Sequence, residues 1–157
     1  MRPGDFGVVA TTGFVAWAIR VITRSPYNHA YGYIGGGMIM EAQPKGAKVS
    51  LLSKYNGRPQ LRSQLKLDAP HAASTAKAYR DQDGIEYGFF DVAAIALSSI
   101  GIVTSKLTDD DSLFCSQLIA IGLRKGKVDL GTTKRSNRIT PGDLANFILK
   151  RPIPENW

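Results

Sequence analysis

Few residues in this sequence can do covalent chemistry. Cys115 is the only cysteine, set in Leu113-Phe114-Cys115-Ser116-Gln117-Leu118-Ile119, a run that reads as the start of a helix. With Ser112 as N-cap, Cys115 falls in the first turn, where free backbone N–H groups and the positive end of the helix dipole favour a thiolate. A cysteine nucleophile needs a base, and the chain has two histidines, His29 and His71. His71 falls in the exposed-looking first turn of a helix and reads as a surface residue. His29 lies in the aromatic-rich run Pro26 to Ile34, where alternate positions differ in character, as in a strand. Gly35, Gly36 and Gly37 then turn the chain into Met38 to Gln43, a returning strand closed by Pro44. A loop centred on Gly35 places His29 directly opposite Glu41 on one face, whereas a slip of one residue places them on opposite faces. A carboxylate beside an imidazole fixes its tautomer and stabilises the cation formed when the ring takes a proton from a thiol.

Each of these residues also fits an ordinary role. Cys115 alone suits a small buried apolar residue. His29 suits a sheet histidine satisfied by Asn28 or a backbone carbonyl, and Glu41 a solvated carboxylate at a strand end. The chemistry rests on the three occurring together.

The elements that must position them follow from pattern. At 157 residues the chain is expected to form a single domain, 1–157, with one sizeable core. Phe6 to Ala10 suits a buried strand after the Pro3-Gly4-Asp5 turn. Phe14, Trp17, Ala18, Val21 and Ile22 recur at helical spacing and read as a core-facing stripe ending before Pro26. Ala47 to Leu52 and Gln60 to Leu67 add strands. A helix follows from Pro70 to near Gly84, then a strongly apolar helix from Val92 to about Ile100. Residues 104–111 form a polar loop ending in Asp109, Asp110 and Asp111, whose charge can cap the next helix or oppose thiolate formation at Cys115. The Cys115 helix runs to Gly126, and Thr140 with Pro141 introduces a last helix, Leu144 to Leu149.

The formal charge of +7 comes from dispersed Lys and Arg, including Lys45, Lys48, Lys54, Arg58, Arg62, Lys66, Arg124, Lys125, Lys127, Lys134, Arg135 and Arg138. This favours polyanionic surroundings such as cell-wall polymer, nucleic acid or anionic lipid and reads as a solvated basic face, with no recognisable nucleic-acid motif. One cysteine excludes an internal disulfide and a cysteine-rich zinc site. The run 14–22 is too short to span a bilayer, and the first residues lack the apolar core and cleavage site of a secretory signal. Synthesis in the cytoplasm is expected, with a virion or another carrier as the route to a wall.

Together, Gly4-Asp5, Asn28-His29-Ala30-Tyr31-Gly32-Tyr33-Ile34-Gly35, Met40-Glu41-Ala42, Gly84-Ile85-Glu86-Tyr87, Phe114-Cys115-Ser116-Gln117-Leu118 and Thr140-Pro141-Gly142-Asp143-Leu144 resemble the circularly permuted NlpC-type papain-like hydrolases, the YiiX-like group. These pieces span nearly the whole chain, with the histidine strand before the cysteine helix, the reverse of papain. Two positions depart from the pattern: Ala30 stands where the family more often has valine or isoleucine, and Gly88 follows Tyr87 where an aspartate is common.

The resemblance implies an α+β, papain-like fold in which an antiparallel sheet packs against helices in permuted order. It implies Cys115 as nucleophile, His29 as general base and acid, and Glu41 as the residue orienting His29. The backbone N–H of Cys115 would serve the oxyanion hole, and Tyr27 or Tyr31 would add a hydroxyl donor, with packing as the alternative role for both. No metal or organic cofactor is called for. The expected activity is amide hydrolysis in peptidoglycan stem peptides. An acyltransferase or thioesterase acting on lipid and a non-catalytic wall- or virion-binding module remain as alternatives, with a basic nucleic-acid binder behind them.

Overall fold

The computed structural model describes residues 1–43, 45–85 and 114–153. The expected helix at 92–100, the aspartates 109–111, the Ser112 cap and the resemblance at Glu86 and Tyr87 lie outside the described residues.

The chain is α+β. Strands β1 (Phe6–Val9), β2 (His29–Gly35), β3 (Met38–Gln43), β4 (Gly46–Leu51) and β5 (Gln60–Arg62) form one antiparallel sheet in the order β4-β3-β2-β1-β5. The described helices are α1 (Phe14–Ile22), α2 (Ala69–Arg80), α3 (Phe114–Lys125) and α4 (Pro141–Ile148), with a 3-10 turn at Leu52–Tyr55 between β4 and β5. One sheet face carries Phe6, Val8, Ala30 and Met40 into the main core, against Tyr79 of α2, Leu118, Ile119 and Leu123 of α3 and Leu144 of α4. The other face carries a smaller cluster of Val9, Tyr31 and Ile39, closed by Tyr55 of the 3-10 turn.

Four expectations from the sequence need correction. The β2–β3 hairpin turns through Gly36 and Gly37, both at positive φ, the geometry a two-residue hairpin loop requires, and the register shifts between Tyr33 and Gly35. The hairpin centre therefore moves by one residue. Tyr31, not His29, stands opposite Glu41. His29 sits two residues further along the same face, so the pair is diagonal and only long side chains can close the gap of about 7–8 Å.

Strand β5 stops at Arg62 instead of Leu67. The Ser63 hydroxyl accepts from the Phe6 N–H at 2.8 Å, replacing the carbonyl that a continued ladder would supply. Asp5 takes the chain onward by accepting from the N–H groups of Arg2 at 2.7 Å and Leu65 at 3.0 Å, which gives the Gly4-Asp5 pair a structural task.

Of the expected α1 stripe, Ala18 is buried but three large members are not. Ala16 and Ala18 face inward, while Phe14, Trp17 and Val21 are 56%, 47% and 50% exposed. Periodicity marks an apolar face without saying that anything covers it. Lys134 departs in the opposite sense from the solvated basic face. It is buried, and its ammonium contacts both Asp143 oxygens at 3.2 Å.

The helix carrying Cys115 is fixed by a close packing contact. Tyr79 of α2 is fully buried between Gly32 of β2 and Gly122 of α3, and a Cβ on Gly122 would lie 2.2 Å from its ring. The Ser116 hydroxyl donates to the Ile139 carbonyl, tying the first turn of α3 to the segment before α4. At the far end of that segment, Thr140 and Asp143 form a capping box on α4. Gly122→Ala gains up to about 1 kcal/mol in helix propensity but overpacks a rigid ring at about 1–3 kcal/mol. A net loss of about 1–2 kcal/mol is expected in urea unfolding, and a Tyr79→Leu background should remove most of it.

Candidate active site

Three elements bring the candidate residues together where β2 begins. His29 opens β2, Glu41 lies near the end of β3, and Cys115 is in the first turn of α3. His29 Nε2 lies 2.9 Å from Glu41 Oε2. That contact leaves Nδ1 unused by Glu41, and Cys115 lies near enough that each of the two side chains shifts the protonation of the other. Cys115 is a free cysteine in a half-buried position.

Glu41 is the centre of the arrangement. Its carboxylate is fully buried and accepts from four side chains. Oε1 takes the Gln43 amide at 2.7 Å and the Lys54 ammonium at 2.5 Å, and Oε2 takes His29 and the Tyr55 hydroxyl. Burial alone would raise its pKa. Hydrogen bonds from His29, Lys54 and Tyr55, with the Ser50 hydroxyl nearby, outweigh that and hold it well below the usual carboxylate range.

The same balance governs the reacting pair. Burial pulls the His29 imidazolium down, but hydrogen bonds and charge from Cys115 and Glu41 win and raise it to about 9. Burial pushes the Cys115 thiol up, while the hydrogen bond and charge of His29 and the backbone N–H groups of Ala30 and Ser116 bring it below its ordinary value. The two shifts favour a thiolate beside an imidazolium at neutral pH.

Tyr55 is the wall behind this pair. Its ring stacks on Tyr31 at 5.4 Å and 14° and meets His29 at 5.9 Å and 52°. Burial and the adjoining Glu41 charge push its hydroxyl well above an ordinary phenol, so it stays a donor. Tyr31 itself is fully buried, with its ring in the space left by Gly7 and its hydroxyl donating to Gln60 at 2.7 Å. Tyr27 is half-buried against the main core. Asn28 does not satisfy His29. Its amide is committed to Thr11, accepting from the N–H at 2.8 Å and donating to the hydroxyl at 2.6 Å. His71 lies at the start of α2 beside Asp68, the N-cap of that helix, and is not part of the cluster.

Sequence reasoning missed Gln43, Lys54 and Tyr55. Gln43 follows Glu41 by two positions on one strand, a spacing that puts both on the same face. Lys54 and Tyr55 arrive from a turn whose placement no local pattern specifies. Among the described residues, no group of three or more His, Cys, Asp or Glu side chains could hold a metal ion. No protein-family model matches the chain, and a search of curated proteins found no match.

Two measurements test the site. An ordinary thiol is roughly 1% ionised at pH 6.5, so iodoacetamide should label Cys115 at that pH faster than a free thiol. His29→Ala should slow labelling by more than about tenfold, after allowance for the lower nucleophilicity of a low-pKa thiolate. Tyr55→Phe removes one donor from a buried charge and should cost about 1–3 kcal/mol in urea unfolding.

Proposed function

We propose that this protein is a papain-like cysteine hydrolase of permuted order, acting on an amide through Cys115, His29 and Glu41. The observation that carries the reading is the buried, four-fold bonded Glu41 against the His29 ring, with Cys115 near enough that His29 draws its thiol toward the thiolate. A charge so costly to bury and a histidine so held are more than packing requires.

In the proposed reaction the Cys115 thiolate attacks the carbonyl carbon, forming a C–S bond and an oxyanion. The Cys115 N–H at the start of α3 is the donor available to that oxyanion. Collapse breaks the C–N bond as the His29 imidazolium gives its proton to the departing amine. Neutral His29 then takes a proton from water, whose oxygen attacks the thioester; the C–S bond breaks, releasing a carboxylic acid and restoring the thiolate. Glu41 keeps the ring in place and stabilises its charged form.

The substrate class we favour is the peptide amide of peptidoglycan, on the family resemblance and the basic composition, +7 overall. A second reading, hydrolysis or transfer of a lipid acyl group, has its own support in the exposed aromatic ridge of α1. The chemistry at Cys115 is the same in both.

Incubation with peptidoglycan fragments and, in parallel, phospholipid esters, followed by mass spectrometry, decides between them. Cys115→Ser should abolish turnover, and Glu41→Gln should lower kcat roughly 10²–10⁴-fold. The profile of kcat/KM against pH should be bell-shaped. Activity is lost on the acid side as the thiolate is protonated, and on the alkaline side as pH rises through about 9 and His29 loses the proton the leaving group needs. A labelled, low-pKa Cys115 with no turnover on either substrate class would overturn both substrate assignments, and an unreactive Cys115 would overturn the hydrolase itself.

A further inference from the structure

Helix α1 presents an apolar ridge to solvent. Phe14, Trp17 and Val21 follow one another at i, i+3 and i+7, a single helical face, and each is about half exposed. Phe14 and Trp17 pack on each other with ring centroids 5.7 Å apart, so the ridge is preformed and little side-chain entropy remains to be lost on docking. Scattered exposed apolar residues need no explanation, but two large aromatics and a valine contiguous on one short helix mark an interaction surface.

Charge and position identify what it meets. Between Asp5 and Glu41 the sequence has no acidic residue, and the charges on and just after α1 are Arg20 and Arg24. Arg20 braces the helix by donating to the Thr11 carbonyl at 2.7 Å, and Arg24 is exposed where the helix ends. An aromatic ridge with an exposed arginine at its end and no carboxylate in residues 6–40 suits the headgroup region of an anionic bilayer, where Trp and Phe enter the interface and arginine meets phosphate. No described helix is long and apolar enough to cross a membrane, so the contact is one of lying on the surface.

The ridge is tied to the site. Val9, at the end of β1, pairs with His29, and Thr11, just before α1, is bonded to Asn28, the residue preceding His29. We propose that the Phe14-Trp17-Val21 face of α1 docks on an anionic phospholipid surface and seats the Cys115 site against the membrane interface. The proposal does not need the hydrolase chemistry to be correct.

The test uses the full chain in a Trp157→Phe background, so that Trp17 is the one fluorophore of its kind. It should sediment with vesicles of phosphatidylcholine and phosphatidylglycerol, with a blue shift of Trp17 emission, and less so at high salt or with phosphatidylcholine alone. Phe14→Ser with Val21→Ser should reduce partitioning by about tenfold or more. Arg24→Glu should weaken binding to the anionic vesicles and leave binding to neutral ones little changed. Iodoacetamide labelling of Cys115 in the same variants should match the parent, showing that they are folded, and Cys115→Ser should bind vesicles as the parent does. Three results would overturn the proposal: no partitioning by the parent, partitioning insensitive to the serine variant, or Trp17 already shielded in buffer. The last would mean that the ridge is covered by a second copy, seen as a dimer that the serine variant dissociates, or by another part of the chain.

Discussion

A carboxylate taken out of water must be repaid in hydrogen bonds, and the arrangement around Glu41 follows from that requirement. Left uncompensated, such a charge costs several kcal/mol, more than most single interactions in a domain return. Glu41 meets it with donors from three places: His29 on the neighbouring strand, Gln43 on its own, and Lys54 and Tyr55 on the turn beyond β4. Holding the His29 ring by Nε2 is part of that compensation. The orientation that keeps Nδ1 off the carboxylate is thus a by-product of satisfying the buried charge.

The two sheet faces divide the work. One buries Phe6, Val8, Ala30 and Met40 under the helices and supplies cohesion; the other holds the polar cluster under Tyr55. Cys115 belongs to a helix packed on the first face and yet interacts with His29, so the approach of thiol and imidazole depends on where α3 starts. Tyr79 wedged between Gly32 and Gly122 sets the closeness of α3 to β2, and the Ser116 bond to the Ile139 carbonyl holds its first turn. Neither contact involves a reacting atom. Both decide whether the thiol and the imidazole meet.

Helix α1 shows the same economy of position. It enters directly after the strand that pairs with His29, and the Thr11–Asn28 bonds fasten its entrance to the start of β2. A surface engaged by α1 is therefore a surface presented to the site.

The sequence alone determined the residue types able to do the chemistry and most of the elements that hold them. One cysteine near a helix start, a histidine in an aromatic strand, a glycine turn and a glutamate on the returning strand are local signals, set by capping, periodicity and backbone freedom within a few residues. Thr140 and Pro141 marked α4 for the same reason. Tertiary structure decided what local signals cannot carry. The register that makes His29 and Glu41 diagonal came from the positive-φ pair Gly36 and Gly37 together with a bulge. The early end of β5 came from a side chain replacing a carbonyl, and the exposure of the α1 stripe from the absence of anything packed on it among the described residues. Lys54 and Tyr55 reached Glu41 only because β4 and its turn fold back over the sheet, since a buried charge gathers donors by proximity in space and not by spacing along the chain.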